Sequence, residues 1–501
     1  MPMTAVYPRP DNETNSWARH RKAYPNGIAE YRIPIVIQGG AYPFKYEILD
    51  APTGMTIGST IADKDYGILS WRPSSPSADK NVTIRVSDQE RNSILVSWSV
   101  SATTAGFIFV DATTPISGDG SIASPLKLFS DLHNNSDTDT QYSGYIVYFR
   151  AGTHLLTGPA AKGNLELNAN RKPAVWLGYT NEKVVIDYQS SKVLVGNQDD
   201  IFIAKLKFIN ARNDVNNAHF WFFNQNSPQK RMTFFETEFD GISRGLTGRD
   251  NPAAITFFNP GQLRYYFSLV ACNIKNFSAP LVDAYAIKYG VIENNILLNN
   301  NLDASGKYQG ILLKSDIQSF SVRRNTSTLS SFSYGAIEIL MQSQLFTNSE
   351  IEISYNRLID PLNSTKSTRA LVYNWQTANG KNTNPQIYVY RNTILGGITG
   401  LKSFPYTVFL ENNVVLSAAG LNASTANRSI IKNDNIVEDT RTTIINSNGE
   451  LIAGGIQYIG THGHEIISSE ANGGNGGNDE ITPQTVKWFI QFMSSRHRLT
   501  E

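Results

Sequence analysis

The sequence predicts an all-β chain: a small β-sandwich, a long solenoid of stacked strand-bearing coils, and a short C-terminal helix. Three observations carry that prediction. Seven stretches in the second half share an apolar strand pattern that ends in an asparagine and resumes with a second apolar run: Val270–Ile274, Val291–Ile296, Val322–Thr326, Ile353–Arg357, Val389–Thr393, Leu410–Val414 and Lys432–Ile436. With Asn273, Asn295, Asn325, Asn356, Asn392, Asn413 and Asn435 taken as the repeated residue, the intervals are 22, 30, 31, 36, 21 and 22. A recurrence of this size marks a repeat architecture whose units must stack to bury their inner faces. Ahead of it, residues 29–101 hold short alternating strands separated by turn signals, the pattern of a β-sandwich. Behind it, the glycine-rich run Asn472–Asn478 leads to Thr482-Pro483 and an amphipathic Val486–Met493, a helix start with proline at its first position.

Composition excludes several functions. The chain has 501 residues, a net charge of +1 and 17% charged residues, so no basic stripe argues for nucleic acid. The only cysteine, Cys272, sits in an apolar strand and reads as a small core residue; no disulfide can form within one chain. No apolar run follows Arg19, Arg21 and Lys22, and none anywhere is long enough to cross a bilayer. The expectation is therefore no signal peptide, no membrane partner, and, for a protein acting outside a cell, a place on a virus particle.

Taken in order, residues 1–28 are polar and proline-bearing and read as a flexible arm. Residues 29–104 form the sandwich, with strands at Tyr31–Ile37, Phe44–Ile48, Gly67–Trp71, Val82–Val86 and Ile94–Val100. The run Pro52–Ile57, then Gly67–Pro73, then Val82–Asp88 resembles the cadherin-like, immunoglobulin-type modules of bacterial surface and phage proteins, which implies a spacer or adhesive role. Asp63, Asp65 and Asp88 invite calcium by the same resemblance, but turn residues are the simpler reading.

The solenoid is assigned to residues 105–465. It opens with Phe107–Asp111, a turn-rich Ser117–Leu126, a short amphipathic helix near 126–133 and the strand Tyr145–His154. That order resembles the N-terminal end of pectate-lyase-like right-handed parallel β-helices, where a helix caps the first coil; an uncapped coil would expose strand edges and core. Strands at Val175–Gly178, Val184–Tyr188, Phe202–Phe208 and Phe234–Phe239 continue it, with Glu238 standing where the asparagine recurs. Stacked asparagines bond amide to amide and serve the scaffold. Extra residues between Asn295 and Asn392, such as Asp360–Ser367 and Thr377–Asn384, map to surface loops that wall a groove. His462, His464 and Glu465 lie in a glycine-rich turn and do not make a metal site. Residues 466–501 hold the linker and the helix.

Chemistry is expected on the outward side of strands that alternate with period two. If Ile311, Leu313, Ile337 and Ile339 point in, then Lys314, Asp316 and Glu338 point out. Asp316 and Glu338, on consecutive coils about 4.8 Å apart, would then supply the paired carboxylates of glycoside hydrolysis, with Lys314 beside them. Trp221, Tyr373 and Trp375 are candidate sugar platforms, and Arg323 and Gln342 candidate polar contacts. A lyase would instead draw on Lys314, Lys288, Arg323, Arg324 and Tyr355 to stabilise a carbanion and remove a proton. The whole chain resembles a phage tailspike or related polysaccharide depolymerase. The resemblance implies a homotrimer, a virion location and a bacterial capsule or O-antigen as partner, with no cofactor and only a weak case for calcium; a non-enzymatic glycan-binding adhesin has the same scaffold.

Overall fold

The computed structural model describes residues 1–9, 15–58, 67–132, 140–156, 165–167, 171–189, 191–210, 219–223, 229–241, 253–257, 263–277, 280–299, 308–314, 317–329, 333–341, 349–359, 369–375, 386–395, 397–399, 407–411, 413–416, 430–433 and 436–438. The C-terminal linker and helix, Asn435, and His462, His464 and Glu465 lie outside them.

Period-two alternation of Val, Ile and Phe turns the chain into a parallel β-helix. Each coil places one strand in each of three sheets before rising to the next, as in Val175–Gly178, Val184–Asp187 and Val193–Val195. The described strands build a first sheet of 12, a second of 11 and a third of 9, with every neighbouring pair parallel from Phe107–Val110 onward. Inward residues fuse into one core that runs the length of the helix, including Trp176, Trp221, Phe257, Ile311, Leu313, Ile337 and Ile339. The open end carries a four-residue 3₁₀ turn, Phe129–Leu132, rather than the expected amphipathic helix. Phe129 and Leu132 still plug the core, while Asp131 accepts the Leu128 backbone N–H at 2.9 Å and closes the turn.

The corner from first to second sheet explains the asparagine repeat and corrects its register. One residue in each of these corners is left-handed: Lys205, Glu236, Ala271, Asn294, Arg324, Tyr355 and Arg391 have φ between 49° and 57°. The next residue is the stacked one, which gives Leu206, Thr237, Cys272, Asn295, Asn325, Asn356 and Asn392, and Asn413 continues the stack. Asn273 is therefore not a rung. It pairs with Glu238 and Ile296 as the first residue of the following strand, and Cys272 takes the rung position. Thr237, not Glu238, is likewise the residue in the asparagine's place. From Asn325 onward each Oδ1 accepts the backbone N–H and the Nδ2 of the preceding rung, as Asn325 does from Asn295 at 3.0 and 2.9 Å, while Asn295 Oδ1 accepts only the Cys272 backbone N–H at 2.8 Å. These bonds satisfy buried backbone donors that the sharp corner takes out of the sheet ladder.

The N-terminal segment does not stand apart. Lys22–Ala23, Ser93–Ala102, Ser77–Ser87 and Lys45–Asp50 form a four-stranded sheet, and Tyr31–Pro34, Ile68–Trp71 and Thr56–Ile57 a three-stranded one. Within the stretch read as an arm, Thr4–Tyr7 pairs antiparallel with Val36–Gln38. Their side chains join a second core with the outward residues of the first parallel sheet, among them Tyr148, Leu177, Phe202, Phe235, Val270 and Val291. An outward face this apolar has to be covered, and the module covers it. Asp88 caps a turn inside the module: its carboxylate accepts from Asn92 N (2.8 Å), Asn92 Nδ2 (3.0 Å) and Ala41 N (3.1 Å). Asp63 and Asp65 lie outside the described residues.

Candidate functional site

A parallel β-helix offers three outward faces, and the chemistry of each is set by what its polar groups already bind. On the first sheet, Arg323 is fully buried beneath the module. Its Nε lies 3.2 Å from Glu293 and its Nη1 3.6 Å from Glu352, and it donates to the Ile37 carbonyl. Glu352 also accepts from Ser321 (2.6 Å), Ser354 (2.7 Å) and Tyr390 (2.5 Å). Burial pushes Glu293 above the usual carboxylate range, against the pull of Arg323. Arg324 donates to the Tyr42 hydroxyl, and the Tyr355 hydroxyl donates to the Tyr42 carbonyl at 2.9 Å. This face fastens the module to the helix. Arg323, Arg324 and Tyr355, which a lyase was expected to use, are engaged in that fastening.

On the second sheet, charges balance in the open. Lys207 and Lys275 flank Glu238 at 2.9 and 3.0 Å and reach Asp240 at 3.7 and 3.8 Å. Partly exposed pairs of this kind contribute little individually, and these four charges are balanced among themselves.

The third sheet differs. Its ladder sets Phe222, Thr256, Asp283, Leu312, Glu338 and Val372 side by side on successive coils. Ile311, Leu313, Ile337 and Ile339 are all buried in the core, so the intervening Leu312 and Glu338 point away from it, as the alternation predicts. Lys314 pairs with Tyr285 on one side and Leu340 on the other, in the next outward row. Its ammonium lies 5.3 Å from the centre of the Tyr285 ring. Asp283 is half-buried, and its Oδ1 is enclosed without a hydrogen-bond partner among the described residues. Burial, helped by Glu338 and opposed by Lys314, raises the Asp283 carboxyl to about 6. A carboxyl that keeps its proton up to about pH 6, with a second carboxyl group in its own row and an ammonium near it, is equipped for general acid and base work.

Of the residues picked from the sequence, Lys314 and Glu338 come together here. Glu338 faces Leu312 on the adjacent coil, so its acidic companion in the row is Asp283, two coils earlier. Asp316 and Gln342 lie outside the described residues. The strand Arg369–Trp375 extends the third sheet and carries Tyr373 and Trp375, with Glu338 opposite Val372 and Ile339 opposite Tyr373. Trp221 is no platform: it is fully buried, 5.1 Å ring to ring from Trp176. The outward residue of its strand is Phe222. Asp283 was missed although its signal was present, an acid between Val282 and Ala284 in a strand aligned with Ile311–Leu313.

Fold and face together define a parallel β-helix with an acid-bearing outer row. No protein-family model matches the chain, and no curated protein or solved structure does either.

Proposed function

We propose that this protein is a tailspike-like polysaccharide depolymerase that cleaves a bacterial surface glycan by hydrolysis, with Asp283 as general acid and Glu338 as base. The observation that carries this reading is the placement of Asp283 and Glu338 in one outward row, separated only by Leu312. Two coil spacings put their backbones about 9.6 Å apart. That spacing is close to the separation of roughly 6.5–9.5 Å between carboxyls that admits a water between acid and base. Asp283 protonates the leaving oxygen, Glu338 activates the water, and Lys314 lies beside both to stabilise developing negative charge. Glu338 is 2% exposed, so a bound chain has to displace what covers it.

Hydrolysis is favoured over elimination because Arg323, Arg324 and Tyr355 are committed to the module. The homotrimeric state, the virion location and the identity of the partner as capsule or O-antigen rest on the sequence resemblance. The test is a reducing-end assay against a panel of bacterial surface polysaccharides. Asp283→Asn and Glu338→Gln are each expected to lower the rate by about 10²–10⁴-fold. Full activity in both variants overturns the site, and no shortening of any polysaccharide by the wild type favours the adhesin.

A further inference from the structure

On the outward side of the third sheet, Phe222, Thr256, Leu312 and Glu338 are buried, whereas Asp283 and Lys314 are only half-buried. The charged groups that face Asp283 among the described residues are Lys314 on the following coil and Glu338 one coil further; the preceding coil sets Thr256 opposite it. On its own strand the next residue on the same side is Tyr285. Register places Lys314 directly beside Tyr285 and diagonal to Asp283, so the ammonium has a ring and a carboxyl to choose between. It lies over the ring, 5.3 Å from its centre. Lys314 makes no ion pair with Asp283, whose enclosed Oδ1 has no hydrogen-bond partner among the described residues. The ring is itself fixed: Tyr285 is 8% exposed against the helix core, and its carbonyl accepts from the Arg264 guanidinium at 3.2 Å.

A lysine on a flexible four-carbon stem can serve either partner, and an aromatic face competes for it where water is scarce. Building on the hydrolase reading, we propose that Tyr285 is a positioning residue whose ring holds the Lys314 ammonium off the Asp283 carboxyl, so that the acid keeps its proton for the leaving oxygen while the ammonium stays unneutralised beside it. A direct Lys314–Asp283 ion pair would defeat both roles, because it would ionise the acid and neutralise the cation. Without the ring, that pair is the arrangement that Coulomb attraction favours.

The experiment follows the Asp283 carboxyl itself, by carbon NMR of protein labelled at aspartate Cγ, with the resonance assigned by its loss in Asp283→Asn. Wild type, Tyr285→Leu, Lys314→Met and the double variant make a cycle. Tyr285→Leu is expected to lower the titration midpoint by about 1–2 pH units, and Lys314→Met to raise it. In the Lys314→Met background, Tyr285→Leu is expected to lower it far less. Tyr285→Phe keeps the ring and is expected to titrate as the wild type does. Tyr285→Met also removes the ring and takes the place of Tyr285→Leu if that variant does not fold. No shift in the ring-less variants overturns the assignment, and so does an equal shift with and without Lys314, which would mean that the ring acts by excluding water. On a polysaccharide that the wild type shortens, the basic limb of kcat/KM should move to lower pH in Tyr285→Leu together with the carboxyl. If the wild type shortens none, the hydrolase reading fails, while the NMR cycle still decides whether Tyr285 holds Lys314 away from Asp283.

Discussion

Asn356→Ala and Asn273→Ala, at positions alike in local sequence, separate a rung of the ladder from its neighbour.

 Both positions end an apolar strand run in the sequence, yet only Asn356 is stacked. Its Oδ1 accepts from Asn325 N and Asn325 Nδ2, both at 3.0 Å, and its Nδ2 donates to Val322 O at 2.9 Å and Asn392 Oδ1 at 3.0 Å. Truncation removes all four bonds from a fully buried site. Asn392 Oδ1 keeps the Asn356 backbone N–H, and Asn325 Nδ2 keeps the Ile292 carbonyl. The Asn325 backbone N–H loses the acceptor that the ladder gave it. At about 1 kcal/mol for each net bond, with a larger penalty for a stranded donor, the cost is about 4 kcal/mol. Asn273 Oδ1 has no hydrogen-bond partner among the described residues, and the Asn273 backbone N–H still reaches Thr237 O after truncation. Its replacement is expected to change stability by no more than about 0.5 kcal/mol. Urea unfolding gives the totals, and hydrogen exchange gives the location, because solenoid coils need not unfold together. Exchange at the Asn325 amide is expected to accelerate by about 10³-fold in Asn356→Ala. Equal costs at the two positions, or a wild-type Asn356→Ala, would refute the rung assignment.

Two further predictions concern pH. Asp283 holds its proton up to about 6, so a general acid at this position loses activity as pH rises through that value; the wild-type kcat/KM profile should show a basic limb there, and a flat profile from pH 5 to about 8 would remove Asp283 from the acid's role. His20 is buried between the module and the helix, with neither ring nitrogen bonded among the described residues, and burial followed by the charges of Arg21 and Arg231 lowers it to about 3. The unfolded chain thus takes up a proton near pH 6.5 that the folded chain refuses. Stability is complete above that value and falls by about 1.4 kcal/mol per pH unit below it, toward the folded value. Urea unfolding at pH 7.5 and 5 should show a loss of about 2 kcal/mol in this contribution, and His20→Phe should reduce the difference; an unchanged difference would place the acid sensitivity elsewhere.

The scaffold was legible because its signals are local. Alternating Ile and Val in Ile311–Leu313 and Ile337–Ile339 state which side is core, and the recurring asparagine states that coils stack. The register of the ladder was not legible at its first rung, since Cys272-Asn273 offers an asparagine one residue late and only the left-handed Ala271 fixes the turn. Trp221 and Arg323 were misjudged for a common reason. Side-chain type proposes a sugar platform or an anion contact, but whether either is exposed depends on residues far away in sequence: Trp176 packs on the first, and Tyr42 and Phe44 cover the second, at 5.4 and 4.7 Å from the guanidinium to the ring centres.

The same distance dependence decides where activity can reside. An outward carboxylate is available for chemistry only if the fold has not already neutralised it, and the strand pattern cannot report that. Glu293 and Glu352 are spent on Arg323 under the module, and Glu238 and Asp240 on Lys207 and Lys275. Asp283 has an ammonium near it but no bond to its enclosed oxygen. Docking the module against the first sheet thus does two things at once. It covers an apolar face that a solenoid of this composition could not leave in water, and it leaves Asp283, with its carboxyl raised to about 6, on a sheet that the module does not cover.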